Sequence, residues 1–422
     1  MAPFFVNRNE MNHMAILFQL LNNYLFITVT IGAFHVIRQE KVSYLFCMLL
    51  LHVSINFAFY AGNILSFFMA FEFIVVPMYF LIVKWGNRGW EKIRAVNLLF
   101  MFTVVSGIFM LIGIMKIWIE IGSLKLLNTY SISSGESINW TYYVFICFAV
   151  TFSVKLPLMP FHIWLTQAHV EAPMAGSVIL AGILLKLGGY GFIRYGLMIW
   201  PQEFVKLCPF LKLLCVFGIV IGSICTCVQV DIKRLIAYSS VVHMSMCVYP
   251  LFNSPENGGI NSCVIGMIAH GLISPGLFLM VGFMYERSNT RNILYYSGYS
   301  LIIPVLSGLS LIIILCSMGI PGTLNFIGEI FMLLNVMGGT SYVPVMVLAF
   351  GMFATLIYSL KVYTYVFTGL PTLNKYFENE AYTSEGIIPN DLQLNEVISL
   401  VLCLWPIILC GIHVPMWLYI IY

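Results

Sequence analysis

The feature that most constrains the fold is a series of apolar runs, each about twenty residues long, along most of the chain. About 20 helical residues cross the hydrocarbon core of a bilayer, and a helix satisfies its own backbone hydrogen bonds there. Apolar runs of this length therefore predict membrane-spanning helices. Twelve are predicted, near residues 14–37, 42–61, 63–84, 94–119, 140–168, 174–200, 207–228, 234–252, 261–284, 299–336, 343–368 and 395–420.

Composition supports this prediction. Of the 422 residues, 60% are hydrophobic and 9% are charged, whereas ordinary soluble domains carry about 25% charged residues. Such a chain has too few charges to cover a water-facing surface, which excludes soluble and disordered proteins. A net charge of +3 is too small to indicate a polyanionic partner, so we expect no nucleic-acid binding.

Two of the apolar runs contain prolines and are too long for one straight span. The first includes VKLPLMPFHIW, with Pro157 and Pro160, and the second includes MGIPGTLNFIGE, with Pro321 and Gly322. Proline removes a backbone hydrogen bond and clashes with the preceding turn, so both helices are predicted to be discontinuous. At membrane depth a broken helix is tolerated only beside protein or a hydrated cavity. The alternative for either run is an ordinary proline kink without a function.

The positions of the breaks suggest an internal duplication. Residues 42–200 and residues 207–368 each contain five predicted helices, and the fourth helix of each set is the broken one. Units with an odd number of spans insert with opposite topology, as in inverted-repeat transporters. Residues 1–41 add one helix, and residues 369–422 add a polar loop and a C-terminal helix. The predicted fold class is an all-α polytopic membrane protein with two five-helix inverted repeats, each with a discontinuous helix.

Basic residues are distributed unevenly between the loops of the two sides. An even number of spans puts both chain ends on one side, and basic residues collect in the short loops of the opposite, inner side. The loops opposite the chain ends carry Arg38, Lys41, Lys84, Arg88, Lys92, Arg94, Lys233, Arg234, Arg287 and Arg291, whereas the side of the chain ends carries Arg8, Lys116, Lys125 and Lys206. Both ends are therefore predicted to lie outside.

Five charged residues lie inside apolar runs, which is costly. They are Glu72, Lys155, Lys186, Glu329 and Lys361. A charge at the centre of a transmembrane helix costs about 2.5–3.5 kcal/mol on the insertion scale. The structural alternatives are ion pairing and, for a lysine near a helix end, extension of the ammonium toward the interface. Because proton affinity in a buried Glu–Lys pair depends on whether the pair is open or closed, this set suits proton transfer.

Two histidines, His243 and His270, also lie within predicted helices. Histidine can exchange a proton near neutral pH, although a single buried histidine is more often structural. Haem ligation by this pair and a metal site at His162, His169 and Glu171 are weaker alternatives. The eleven cysteines contain no CxxC motif and are interpreted as small core residues. We therefore expect no metal or cofactor to be bound by this chain.

Several motifs resemble the subunit 4 family of respiratory complex I (NADH:ubiquinone oxidoreductase), a family of antiporter-like proton-pumping subunits. The most specific is KLPLMPFHIWLTQAHVEAPMAGSVILAGILLKLGGYGFIRY at residues 155–195. The others are FEFIVVPMYFLIVKWG at 71–86, DIKRLIAYSSVVHMS at 231–245, MIAHGL at 267–272 and GTLNFIGE at 322–329. Together the motifs indicate a resemblance from about residue 42 to residue 368. Sister antiporter-like subunits typically have a lysine where this chain has Glu329.

The resemblance implies a core membrane subunit that moves protons while electron transfer from NADH to ubiquinone, in other subunits, supplies the energy. The chain would be a subunit of an H+-translocating NADH:ubiquinone reductase without a redox site of its own. NADH, FMN, iron–sulfur clusters and ubiquinone would belong to the rest of the complex. The implied partners are neighbouring antiporter-like subunits, other membrane subunits of complex I, accessory subunits, lipids and protons.

The resemblance also assigns site residues. It implies a proton relay composed of a glutamate–lysine pair, a central lysine, two histidines of a hydrophilic axis and a terminal glutamate. In that order these are Glu72, Lys155, Lys186, His243, His270 and Glu329. Lys361 has no counterpart in the family and is left out of the relay.

The family usually has fourteen helices, so the first two are expected to be missing here, and an accessory subunit or lipid is expected to cover the surface that they leave. So apolar a chain fits synthesis within an organelle, which favours the mitochondrial inner membrane, with the chain ends in the intermembrane space, over a bacterial membrane. The main alternative is a free-standing secondary cation/proton antiporter. A membrane-embedded electron carrier is disfavoured by the cysteine and histidine patterns.

Overall fold

The computed structural model describes residues 8–33, 40–87, 89–125, 139–338, 342–370 and 390–413. Regular structure in these ranges is helical apart from two isolated β-bridges, Asn63–Lys125 and Asp231–Asn292. This confirms the prediction of an all-α chain. The prediction of a helical membrane protein is confirmed as well, because ten of the described helices are long and apolar enough to cross a bilayer.

The helices form twelve spans when each broken pair is counted once, which is the predicted number. Ten spans are continuous: α1 Arg8–Ala33, α2 Lys41–Tyr60, α3 Ile64–Trp85, α4 Glu91–Ile121, α6 Met174–Leu197, α7 Pro201–Val228, α8 Ile232–Asn253, α9 Asn257–Ser288, α11 Val343–Phe367 and α12 Leu394–Ile412. The broken spans are α5, with segments α5a Asn139–Lys155 and α5b Ile163–Glu171, and α10, with segments α10a Pro304–Ser317 and α10b Leu324–Met337.

Both predicted discontinuities are confirmed. Helix α5a ends at Lys155, just before the two prolines of LPLMP, which leave too few backbone donors to continue a helix. Helix α10a ends at Ser317, and the glycines that follow, Gly319 and Gly322, have φ angles of 71° and 91°. Residues with side chains avoid that backbone region. The threonine Thr323 then starts α10b by accepting a hydrogen bond from the Phe326 backbone N–H.

Two of the ten spans counted as continuous contain a local irregularity of the helix, which was not predicted from the sequence. Helix α3 is interrupted at Ile74, three residues before Pro77, and a proline ring there clashes with the carbonyl of Phe73. Helix α6 contains two π-helical stretches, Leu180–Leu184 and Phe192–Leu197. Such wide turns leave backbone carbonyls without their usual partners and often occur at functional sites.

Three spans form the centre of the bundle. In the most apolar stretches of α6, α8 and α9, 94%, 89% and 94% of the residues are buried, against 33–50% in the other seven continuous spans. These three helices are enclosed by others over most of their length, as expected for the centre of a bundle. Ionisable residues in their enclosed parts, such as Lys186 on α6 and His270 on α9, therefore lie inside protein.

The predicted boundaries differ from the observed ones by four residues or more at four spans. Helix α7 begins at Pro201 rather than near residue 207, and α9 extends over Asn257–Ser288 rather than 261–284. Helix α1 begins at Arg8 rather than near residue 14. The stretch predicted as 299–336 contains a separate helical turn, Tyr299–Ile302, ahead of α10a, because Pro304 starts a new helix. The predicted helix ends at 37 and 420, the loop residues Arg38 and Arg88, and most of the polar loop after residue 369 lie outside the described residues. The fourth span of each five-helix set is broken, but an inverted symmetry between the sets stays a prediction.

Candidate functional site

The six predicted relay residues lie on six different helices or helix segments. They are Glu72 on α3, Lys155 on α5a, Lys186 on α6, His243 on α8, His270 on α9 and Glu329 on α10b. Four of them adjoin an irregularity of the helix. Glu72 precedes the interruption of α3, Lys155 ends α5a, Lys186 follows the first π-helical stretch, and Glu329 follows the break of α10.

The carboxylate of Glu72 packs against the backbone of α4 at Gly107. A β-carbon added at Gly107 would lie 2.4 Å from Glu72 Oε1, so the carboxylate occupies the space that a side chain at this position would fill. Glu72 Oε1 is buried and accepts no hydrogen bond from the described residues. The carboxylate is therefore positioned by shape and has a free acceptor for a further partner.

Lys155 lies beside Glu72 without a direct ion pair. The side chain is 7% exposed, its Nζ lies 4.3 Å from the centroid of the Phe71 ring, and it donates a long hydrogen bond of 3.5 Å to the Phe71 carbonyl. No salt bridge or hydrogen bond joins Lys155 to Glu72 among the described residues, although the charges are near enough to interact electrostatically. The aromatic face stabilises the ammonium while leaving it available. The glutamate–lysine pair is open in this structure.

Lys186 is the most deeply buried of the predicted charges, with no exposed surface. Its Nζ donates to the Ala181 carbonyl at 2.5 Å, within the π-helical stretch, and to His270 Nδ1 at 2.8 Å. An ammonium can only donate, so Nδ1 accepts, and a neutral His270 carries its proton on Nε2. The π-helical stretch thus supplies one acceptor, and the histidine of α9 supplies the other.

His243 continues the polar row from His270. Their ring centroids are 5.6 Å apart, with the rings inclined at 45°. His243 Nε2 lies 3.2 Å from the hydroxyl of Tyr358 on α11. Because His270 Nδ1 bonds Lys186 and His243 Nε2 bonds Tyr358, one nitrogen of each ring is already engaged, which disfavours haem ligation.

A small cavity adjoins the two histidines on the side of α10. Its volume for the centre of a water molecule is about 10 Å³, close to the least that holds one water. Hydroxyl, imidazole and carboxamide groups line it among apolar side chains; they belong to Ser239, His243, His270, Ser274, Ser317 and Asn325. One water in such a polar cavity would have several partners.

Glu329 is linked to this cavity through Asn325, which lines the cavity. Asn325 Nδ2 donates to Glu329 Oε1 at 2.8 Å and to the Ser317 carbonyl at 3.2 Å, which ties α10b to the end of α10a. A β-carbon at Gly319 would lie 2.4 Å from Glu329 Oε2. The carboxylate is thus seated on a glycine, as Glu72 is, but it is also held by a hydrogen bond.

The series of predicted relay residues is interrupted between Lys155 and Lys186. Leu156, the residue after Lys155, packs against Gly188, which is two residues after Lys186. No hydrogen bond joins the two lysines within the described part of the chain. The structure therefore connects Lys186, His270, His243 and the Glu329 region by contacts and places Glu72 with Lys155 as a separate pair.

Lys361, which the prediction left out of the relay, contacts the end of a neighbouring helix. Its Nζ donates to the carbonyls of Cys227 and Gln229 at 2.6 Å and 3.3 Å. Both carbonyls lie at the C-terminal end of α7, where backbone acceptors lack helical partners and a cation is favourable.

The residues of the weaker metal hypothesis do not converge. His169 is stacked on Phe278, with centroids 4.5 Å apart and planes inclined by 7°, and neither of its ring nitrogens has a hydrogen-bond partner in the described structure. Glu171 instead lies 3.9 Å from Arg291. Across the described ranges, no group of three or more His, Cys, Asp or Glu residues has the geometry to hold a metal ion.

Sequence reasoning missed the residues that position the relay. Asn325 was identifiable only as a polar residue one helical turn before Glu329, and Tyr358 only as a tyrosine within an apolar run. Gly107 and Gly319 gave no signal, because a glycine in a helix or loop does not reveal which side chain it accommodates.

The fold and site together define a class: polytopic helical membrane proteins of the antiporter-like type, with two broken spans and buried ionisable side chains between them. The chain belongs to the NADH:quinone oxidoreductase/Mrp antiporter transmembrane family, whose sequence model matches residues 61–357. It is 43% identical to NADH-ubiquinone oxidoreductase chain 4 of Metridium senile over 329 residues, or 77% of this chain and 65% of that protein. It is 36% identical to NADH-quinone oxidoreductase subunit M of Rickettsia bellii (strain RML369-C) over 386 residues, or 92% and 75% of the two chains.

The fold is also similar to solved structures. A chain of respiratory complex I from Thermus thermophilus with bound NADH superposes with a TM-score of 0.86 at 24% identity, covering 97% of this chain and 83% of that one. This chain spans about two thirds of the length of the Metridium relative. The family and the fold are thereby established.

Proposed function

We propose that this chain is a core membrane subunit of a proton-translocating NADH:ubiquinone oxidoreductase, respiratory complex I. In this proposal it moves protons across the membrane, and electron transfer from NADH to ubiquinone in other subunits drives the movement. The observation that carries the proposal is the contact series from Lys186 through His270 and His243 to the cavity beside Glu329. Membership of the family and relatives that bear complex I subunit names support it.

The pair of Glu72 and Lys155 is proposed as the switch. Closing the pair would stabilise both charges, and opening it would leave each of them poorly solvated. The open geometry, with the ammonium on the Phe71 ring and an unfilled acceptor on Glu72, is one of the two states that such a switch needs. A proton released by Lys155 would pass Leu156 to reach Lys186.

The row on α6, α9, α8 and α10b is proposed as the transfer path. Lys186 donates to His270 Nδ1, so proton transfer along this bond would release the proton that His270 carries on Nε2. The neighbouring cavity has room for one water, which can relay that proton toward Glu329. Asn325 is proposed as a positioning residue, because a carboxamide holds the carboxylate without carrying the proton itself.

Partners, cofactors and location follow from the same proposal. The chain would contact neighbouring antiporter-like subunits, other membrane and accessory subunits of complex I, and lipids. NADH, FMN, iron–sulfur clusters and ubiquinone would be bound by the other subunits. The loop charges favour chain ends in the intermembrane space of the mitochondrial inner membrane. Because relatives include both mitochondrial-type chains and a bacterial subunit M, a bacterial plasma membrane is the second candidate location.

The alternative function is a free-standing cation/proton antiporter, and similarity of fold to a chain of the Mrp complex from Dietzia sp. DQ12-45-1b, with a TM-score of 0.84 at 16% identity, is compatible with it. Native gel electrophoresis of mildly solubilised membranes separates the two proposals. A complex I subunit migrates in the large assembly that oxidises NADH, whereas a free antiporter migrates alone.

The decisive measurement combines native gel electrophoresis with a variant of the chain. Lys186→Met in the assembled complex is expected to abolish NADH-driven proton uptake into vesicles while the chain still comigrates with NADH oxidation activity. A chain that migrates alone, and that exchanges cations for protons without NADH, contradicts the complex I assignment.

A further inference from the structure

A cluster of carboxamides lies in the seam between α1 and α2, away from the relay. This amide seam consists of Gln19, Asn22, Asn23, His52 and Asn56. Asn22 Nδ2 donates to Asn56 Oδ1 at 3.0 Å, and Asn56 Nδ2 donates to Asn23 Oδ1 at 3.0 Å. Gln19 Nε2 donates to the Asn56 carbonyl at 3.3 Å. The contacts form a connected polar network between two membrane spans.

The seam lies within the membrane-spanning part of both helices, although Asn56 is only four residues, about 6 Å, from the end of α2 at Tyr60. The apolar part of α1 extends over His13–Ala33, and Asn23 is ten residues from either end. At 1.5 Å per residue this puts Asn23 about 15 Å from both ends of the span. A short carboxamide cannot reach the interface from that depth, unlike the long side chains of lysine or arginine.

Part of the seam faces outward. Asn23 is exposed, and it shares a stripe of α1 with Ile16, Leu20 and Ile27, which are 49%, 58% and 55% exposed. The Asn23 amide donates to no described residue, and the Gln19 Oε1 accepts from none. One donor and one acceptor are therefore left open side by side on a surface at hydrocarbon depth, where an unsatisfied polar group is costly.

The central outward faces of α4 and α11 lack such groups in the part of the chain that the structure describes. On α4 the exposed residues of the central part include Met101, Val105, Phe109 and Ile112. On α11 they include Met346, Phe350, Phe353 and Ile357. These faces have the composition expected for contact with acyl chains, and the face of α1 and α2 does not.

A groove continues the same seam toward the other end of α1. It is a cavity of about 20 Å³ between the two helices, large enough for a small apolar group. Its lining is mostly apolar and is formed by Val29, Thr30, Ala33, Lys41, Tyr44, Leu45 and Met48. The seam thus offers a polar contact and, further along the helices, an apolar recess.

We infer that the amide seam is the docking site for a transmembrane helix of another polypeptide that presents an asparagine or glutamine. A carboxamide accepts from the Asn23 amide and donates to Gln19 Oε1 at once, so one side chain satisfies both open groups. Phospholipid cannot substitute, because its acyl chains offer no hydrogen bonds and its ester and head groups lie near the interface. This inference does not depend on the proposed proton relay.

The test is photo-crosslinking in the native membrane with the full chain. A benzophenone amino acid replaces Ile27, on the stripe of Asn23, and in a control it replaces Val105 on α4. The expected adduct at position 27 maps by peptide sequencing to a membrane-spanning segment of another polypeptide that contains Asn or Gln. At position 105 the expected adducts are with lipid.

A second set of variants tests the role of the carboxamides. With the probe at position 27, Gln19→Leu with Asn23→Leu is expected to lower the yield of the polypeptide adduct by about threefold to thirtyfold, the range for interhelical hydrogen bonds in membranes. Ile16→Leu, the matched apolar exchange on the same stripe, is expected to leave the yield unchanged. Gln19→Leu alone keeps the Asn22–Asn56 and Asn56–Asn23 bonds and replaces the double variant if that variant fails to insert.

Three results overturn the inference. They are an adduct at position 27 with phospholipid only, an adduct with another part of this same chain, and a polypeptide adduct whose yield the leucine variants leave unchanged.

Discussion

The two carboxylates of the predicted relay differ in how they are held. Glu72 and Glu329 are each seated on a glycine, Gly107 and Gly319, at the same distance of 2.4 Å from the position of an added β-carbon. Glu329 also accepts a hydrogen bond from Asn325, whereas Glu72 Oε1 has no such donor among the described residues. The Glu329 carboxylate is therefore held by close packing and by a hydrogen bond, whereas the Glu72 carboxylate is held by close packing alone.

The two lysines of the predicted relay, Lys155 and Lys186, also differ in how strongly their partners hold them. Lys155 rests on an aromatic ring and makes one long hydrogen bond, whereas Lys186 makes two short ones, to a freed carbonyl and to a histidine. A group with weak fixed partners can change partner at low cost, and a group with strong ones holds a fixed geometry. The Glu72 side thus suits switching, and the Lys186 side suits transfer along a preorganised path.

The largest expected effect comes from the preorganised side. Lys186→Met removes the proposed proton carrier and the hydrogen bond to His270, and a positioned proton carrier contributes about 10²–10⁴-fold. We expect NADH-driven proton uptake by reconstituted vesicles to fall at least about a hundredfold. Lys361→Met is the matched control: it removes a cap of α7 that costs about 1 kcal/mol of stability and leaves proton uptake unchanged. If Lys361→Met lowers proton uptake as much as Lys186→Met does, both lysines are needed for folding and not for proton transfer.

A smaller loss is expected on the switching side. Lys155→Arg keeps the positive charge beside Glu72 and the ring of Phe71, but arginine does not release a proton at physiological pH. The assembled complex is expected to translocate at least about tenfold fewer protons per electron, as measured by simultaneous recording of NADH oxidation and vesicle acidification. A wild-type ratio of protons to electrons would make Lys155 a structural partner and remove it from the relay.

The glycine seats allow a direct comparison of the two carboxylates. Gly319→Ala places a methyl group against the Glu329 carboxylate and adds backbone strain of about 1–2 kcal/mol, because φ is 71°. Gly107→Ala meets the Glu72 carboxylate in a regular helix and adds no backbone strain. Both are expected to slow proton uptake several-fold, with the larger loss of thermal stability in Gly319→Ala.

Gly308→Ala is the control for the glycine pair. Nothing lies within 4 Å of an added β-carbon at this helical position, so the exchange is expected to raise stability by about 0.5–1 kcal/mol and to leave proton uptake unchanged. If the two seat variants behave like Gly308→Ala, the carboxylates are free to move and the seats do not position them.

The smallest expected effect concerns the starts of the helix segments after the breaks. The Thr323 hydroxyl accepts from Phe326 N–H and donates to the Ile320 carbonyl, whereas no side-chain cap is present at His162, where α5b starts. Thr323→Ala is expected to cost about 1 kcal/mol of stability, and His162→Ala is expected to cost none through capping. Thermal unfolding in detergent measures both, and a larger loss for His162→Ala would show that the first break depends on its histidine.

The sequence determined the parts of this protein that depend on local chemistry. The length of each apolar run fixed the number of spans, because hydrophobic burial in a bilayer acts on each segment alone. Prolines ended α5a, since a missing donor acts on its own turn, and the residues PG of the second run marked the break of α10, where glycines take the left-handed backbone. The cost of a charge in hydrocarbon indicated Glu72, Lys155, Lys186, Glu329 and Lys361 as candidates for a role beyond packing.

The tertiary structure decided which of these residues meet. The pairing of Lys186 with His270, the seat of Glu72 on Gly107 and the contact of Leu156 with Gly188 all join helices that are apart in sequence. Such contacts depend on how each helix is rotated and how closely it approaches its neighbours. Those variables are set by side-chain packing across the bundle, and no local pattern of residues encodes them.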